Sequence, residues 1–132
     1  AAMQVRAVHY DGQRLRLHAP LDRNVNDKAC AFGGSLVSLM TLAGWGLLTL
    51  RLREAGIRAD VYVADSQVRY LAPVYTDLEA EAWLAPEVDW DAVLAAWAAR
   101  GRARAAVLAR VAGADGASAA ELSGRFAALR PA

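Results

Sequence analysis

Between Lys28 and Arg51 the chain carries no charged side chain; the stretch opens through Phe32-Gly33-Gly34-Ser35 and continues in leucine, alanine, glycine and small hydroxyl residues. A helix that is apolar all round must be surrounded, by protein or by lipid. The run contains Gly33, Gly34, Ser35, Ser38, Thr41, Gly44, Gly46 and Thr49, and the sequence after it alternates as soluble strands do. The expectation is therefore the buried centre of a globular fold, not a membrane span. Immediately before it, the loop from Ala19 to Ala31 holds Pro20, Asn24, Asn26 and Asp27. The junction sets polar groups at the mouth of a buried helix, whose first N–H groups lack intrahelical partners and carry partial positive charge. Such a terminus can hold a carbonyl oxygen that becomes negative during reaction.

One domain spanning residues 1–132 is expected, since this length suits one core and is short for two. Fifteen basic against fourteen acidic residues, in a chain that is 56% hydrophobic, argue against disorder and against a nucleic-acid partner. The basic residues, all arginine except Lys28, are scattered and suggest no phosphate-binding patch. Cys30 stands alone, which precludes an intrachain disulfide and a cysteine zinc cluster, and no metal site is expected. A reducing, cytoplasmic setting fits, and no export signal is visible.

Val5 to Val8 and Gln13 to Leu17 alternate around Asp11-Gly12, predicting a hairpin-like start. The long helix should run from Phe32 to Ala55 and stop at Gly56. Asp60 to Leu71 and Asp77 to Leu84 read as strands separated by Pro73. In the second, Leu78, Ala80, Ala82 and Leu84 share a core face, while Glu79, Glu81 and Trp83 share a wet one. Asp89 can cap a short helix with Trp90, Val93, Leu94 and Trp97 at packing positions. Strands from Arg102 to Val111 and Ser118 to Leu129 follow, joined at Gly113 to Gly116. This order predicts an α+β hotdog fold, an antiparallel sheet wrapped around one long central helix. Such a sheet leaves an exposed edge strand, so a homodimer or a dimer of dimers is expected.

Five blocks carry a family resemblance: Ala19-Pro20-Leu21, Asn24-Val25-Asn26, Phe32-Gly33-Gly34-Ser35-Leu36, Leu42-Ala43-Gly44-Trp45-Gly46, and Ala64-Asp65-Ser66 through Arg69-Tyr70-Leu71-Ala72-Pro73-Val74. In this order they resemble the hotdog-fold putative thioesterase domain that stands alone in some bacteria and elsewhere follows a GNAT-type acetyltransferase domain. Where that family typically has Gly-Thr after the Asn-rich loop, this chain has Ala29-Cys30. The resemblance implies action on acyl thioesters of coenzyme A or acyl carrier protein, with the carrier group as part of the substrate and no further cofactor. It further implies that Gly33 and Gly34, with Ser35, bring backbone N–H groups to the thioester oxygen; a glycine pair needed only for helix entry is the alternative.

Related thioesterases of the phenylacetate-degradation type have an Asn, then His-Gly-Gly, then an acid on the helix. Laid over this chain, the pattern falls on Asn26, Phe32 and Thr41, so the helix carboxylate is missing. Another hotdog group carries its carboxylate in the loop, which makes Asp27 the candidate base or nucleophile, against a plain turn or cap role. Hydrolysis needs an activated water or a nucleophile. Decarboxylation of a malonyl thioester needs mainly a stabilised enolate oxygen, which Asn24, Asn26 and the helix start can offer. Some family members are thought to act in this second way, supplying acetyl units for fatty-acid synthesis. A domain that binds acyl thioesters without turnover is the third reading. Phe32, Thr41, Asp65, Ser66 and Arg69 complete the candidate pocket, with helix back-bonding for Thr41 and a solvated strand face for Arg69 as the alternatives.

Overall fold

The uncharged segment forms α1 (Gly33–Glu54), a helix of 22 residues, about 33 Å long at the α-helical rise. The computed structural model describes residues 4–21 and 33–132, so the expected helix start at Phe32 lies outside the described residues. The predicted stop at Gly56 holds, because Gly56 has φ +77°. Its N–H bonds the Arg53 carbonyl and that of Ile57 bonds the Leu52 carbonyl, both at 2.9 Å, closing a Schellman motif.

Around α1 lie β1 (Arg6–Tyr10), β2 (Arg14–Ala19), β3 (Asp60–Tyr70), β4 (Leu78–Leu84), β5 (Arg102–Ala112) and β6 (Ser118–Leu129), with α2 (Trp90–Arg100) between β4 and β5. They form one six-stranded sheet in the order β1-β2-β4-β5-β6-β3, and every pairing is antiparallel. This is the hotdog fold. The sequence predicts its elements well because each turn is chemically marked. Asp11 accepts from the Gln13 and Arg14 N–H groups at the first hairpin. Asp89 caps α2 by accepting from the Asp91 and Ala92 N–H groups.

By length and composition α1 is also apolar enough to cross a bilayer; here its apolar surface meets the sheet. Leu36, Leu39, Met40, Ala43, Leu47, Leu48 and Leu52 are buried against Leu17, Ala80, Val107, Leu122 and Phe126. The Gly44-Trp45-Gly46 block has a packing cause. A Cβ on Gly44 would sit 2.8 Å from the Phe126 ring, and one on Gly46 would sit 2.7 Å from Leu15 Cδ2. Two glycines let the sheet close onto the helix. The opposite face of the sheet is wet, as the alternation in β4 predicts. There Arg16, Glu81, Arg110, Glu121 and Arg69 form one row across five strands.

Candidate active site

Gly33 and Gly34 open α1 at the surface, and no acidic residue occupies its first turn. Tyr70, the last residue of β3, lies over this opening. Its ring is 3.5 Å from where a Gly33 Cβ would stand, and its hydroxyl donates to the Gly33 carbonyl oxygen at 3.3 Å. Gly34 has open space where a Cβ would go. A substrate carbonyl can therefore approach the first turn of α1, where the helix dipole favours negative charge.

Further along the helix an apolar groove of about 590 Å³ lies between α1 and the first residues of β3; Ser38, Thr41, Leu42, Trp45, Val63 and Phe126 are among its walls. The expected pocket residue Thr41 is thus in the groove, with Ser38 one turn before it. Trp45 and Leu42, together with Tyr62 and Val63 of β3, are large hydrophobic residues left exposed. They crowd one place because β3 is a sheet edge: it pairs with β6 on one side and has no strand on the other among the described residues.

The remaining candidates divide by face. The register of β3 against β6 shifts between Val63 and Asp65, so one extra residue, Ala64, reverses the alternation. After it, Ser66, Val68 and Tyr70 oppose the buried Gly124, Leu122 and Ala120 and share their side of the sheet. Asp65 and Arg69 oppose Arg125 and Glu121 on the outer side. Asp65 accepts from Arg125 Nε at 2.8 Å and also meets its terminal nitrogen. That guanidinium holds the Asp65 carboxyl below its ordinary range. Arg69 pairs with Glu121 at 3.8 Å. The structure therefore brings Gly33, Gly34, Ser66 and Thr41 to the helix side and keeps Asp65 and Arg69 away from it. Ser35 is half-buried in the first turn of α1. Asn24, Asn26, Asp27 and Phe32 lie outside the described residues.

Two features escape the sequence reading. Tyr70 reads in the sequence as a strand residue inside one of the family-like blocks, with no sign of its approach to Gly33, 37 positions away. Asp77 anchors the entry to the Asn-rich loop: it accepts the Leu21 N–H at 2.8 Å and stands 3.3 Å from His18 Nε2. The Leu21 bond, with His18 beside it, lowers the Asp77 pKa. Among the described residues no group of three His, Cys, Asp or Glu side chains is arranged to hold a metal.

A family model described as Putative thioesterase (yiiD_Cterm) matches residues 1–130. A crystal structure of a protein of unknown function from Chlorobaculum tepidum is similar at 29% identity, over 98% of this chain and 84% of that one, with a TM-score of 0.90. A putative thioesterase from Shewanella oneidensis is similar at 28% identity, over 96% and 85%, with a TM-score of 0.84. The PaaI protein of the phenylacetic acid degradation operon of E. coli, at 12% identity over 98% and 81% and a TM-score of 0.71, shares the fold alone.

Proposed function

The chain belongs to the family described as Putative thioesterase (yiiD_Cterm), and from that premise we propose that it hydrolyses acyl thioesters carried by coenzyme A or acyl carrier protein. The observation that carries this reading is the exposed start of α1 beside an apolar groove. A thioester carbonyl set against the first turn of α1 would have its oxygen held by the N–H groups of Gly33, Gly34 or Ser35, while the acyl chain lies along Thr41 and Trp45. Water adds to the carbonyl carbon, the oxyanion is stabilised by backbone donors, and the carrier thiol leaves. Asp27 is the candidate base for that water, and Asn24 and Asn26 are the candidate carbonyl partners.

The working unit in this reading is a homodimer. The edge of β3, which has no strand beside it among the described residues, and the exposed Tyr62, Val63, Leu42 and Trp45 support a second copy joining there, antiparallel, to continue the sheet and roof the groove.

A specific feature favours a second reading. The helix has no carboxylate before Glu54, and Thr41 stands where relatives of the phenylacetate type have an acid. Malonyl-thioester decarboxylation needs no such group: carbon dioxide leaves, the electron pair passes into the enolate oxygen held by the helix start, and a proton completes the acetyl thioester. Asp27→Asn separates the two chemistries. Hydrolysis is expected to fall at least about a hundredfold on loss of a general base; a fully active Asp27→Asn protein would favour base-free chemistry. Asn26→Ala that weakens ligand retention, with no product from any thioester tried, would leave a binding module.

A further inference from the structure

Strand β4 stops short of the sheet's end. It pairs with β5 only from Val107 to Val111, whereas β6 runs beside β5 from Arg102 onward. The last bond on the β4 side is from the Ala85 N–H to the Ala106 carbonyl at 3.0 Å, after which the chain leaves the sheet for α2. Residues 102–106 of β5 therefore keep an open edge inside the sheet. Backbone polar groups alternate sides along a strand, so those of Arg102 and Arg104 point the same way as the Ala106 carbonyl, into the gap. Among the described residues no backbone partner meets them there. The gap holds a cavity of about 820 Å³, walled by the whole run from Arg102 to Ala106 on one side and by Val88, Ala92 and Ala96 on the α2 side. The open edge is about 17 Å long at the strand rise, and the 11 residues of α2 span about 16 Å beside it. A short extended segment fits that length.

Charge selects what can enter. Arg102 and Arg104 are exposed on the outer face of the sheet, while Ala103 and Ala105 between them are buried on the inner one. Neither arginine has an ion pair among the described residues. Glu87 and Asp89 stand at the other end of the gap, where Asp89 is engaged in capping α2. The protein itself shows what β5 accepts as a neighbour. In β4, Glu81 stands opposite Arg110, with Ala80 and Ala82 turned to the buried face. Continued past Ala106, that pattern calls for acidic residues opposite Arg104 and Arg102, with small apolar residues between them facing Ala92 and Ala96. We propose that the gap is a docking site for an extended acidic segment of another polypeptide, which adds as a short antiparallel strand to residues 102–106 in the place β4 leaves empty. Backbone bonds to Arg102 and Arg104 hold the segment, and cross-strand charge pairs choose it. The site stands apart from the start of α1 and works without thioester chemistry.

Amide hydrogen exchange of the full chain, read residue by residue with and without the peptide acetyl-Ala-Glu-Ala-Glu-Ala-amide, tests the site directly. The amides of Arg102 and Arg104 are expected to exchange at least about tenfold more slowly with the peptide at saturation, each having gained a backbone bond. Those of Ala103 and Ala105, which face β6, are expected to change little. The same peptide methylated on both glutamate nitrogens keeps its charge and loses its strand donors, and is expected to bind at least about tenfold more weakly. Arg102→Glu/Arg104→Glu is expected to reject the glutamate peptide and to bind its lysine counterpart instead, a gain that a misfolded variant would not show. No binding of the glutamate peptide to the wild type, or binding that leaves the Arg102 and Arg104 amides unprotected, would overturn the site. Equal binding of the methylated peptide would reduce it to a charged patch and overturn strand addition. A charge-reversed protein that still prefers the glutamate peptide would overturn the pairing with Arg102 and Arg104.

Discussion

Gly34 and Gly44 are both helical glycines, kept for opposite reasons. Gly34 has open space around the missing side chain, so Gly34→Ala should fold normally and gain slightly, by up to about 1 kcal/mol of helix propensity. The added methyl stands where a thioester would approach the backbone, so turnover should fall while the urea midpoint holds or rises; unchanged turnover would remove Gly34 from the oxyanion site. A Cβ on Gly44 would stand 2.8 Å from the Phe126 ring, and Gly44→Ala should cost about 1–3 kcal/mol by overpacking, read as a lower urea midpoint. The Leu-Ala-Gly-Trp-Gly block was visible in the sequence, but the reason for it was not. The ring that dictates Gly44 is 82 positions away, and no local pattern announces it. The same limit hid the meeting of Tyr70 with Gly33.

Among the elements, those bounded by turn chemistry were legible. Asp11-Gly12, Gly56, Asp89 and the Gly113 to Gly116 turn each announce a boundary through a side-chain acceptor or a positive φ. Asp89→Ala should accordingly cost about 1 kcal/mol through loss of the α2 cap, measurable by thermal melting. The faces of β3 were not legible. The bulge at Ala64 is set by how an edge strand follows β6, and it moves Asp65 and Arg69 to the outer side of the sheet. An alternation pattern assumes unbroken pleating, and one inserted residue defeats it. Substituting Asp65 with Asn should therefore loosen the Arg125 contact and leave thioester turnover close to wild type. A large loss of turnover would show that the outer side takes part in the site.

At the scale of the whole molecule, three exposed carboxyls, one closing a turn and two tying distant segments, have lowered pKa values. Asp11 closes the first hairpin through the Arg14 and Gln13 N–H groups, Asp65 joins β3 to β6 through Arg125, and Asp77 holds Leu21 and His18. Because their folded pKa values lie below the ordinary aspartate value of 3.8, their stabilisation is present above that pH and is lost as pH falls through the depressed values. Stability should thus vary little with pH through these groups near neutrality and decline in strong acid; an Asp11→Asn/Asp65→Asn/Asp77→Asn protein should show a flatter acid limb in pH-dependent urea melts. The edge of β3 sets the other property of the whole molecule. Val63→Asp, placing charge on that edge, tests the proposed dimer: it should shift sedimentation toward the monomer and lower turnover with it, and unchanged sedimentation would contradict pairing at β3.

The central claim is that the start of α1 and the groove beside it process acyl thioesters by hydrolysis. The most direct test is to incubate the purified protein with malonyl and several plain acyl thioesters of coenzyme A and acyl carrier protein, following free thiol and product mass together. The account predicts free thiol and free acid from plain acyl substrates, abolished or strongly reduced by Asn26→Ala. An acetyl thioester formed from the malonyl substrate without free thiol, or no product from any thioester, would contradict it.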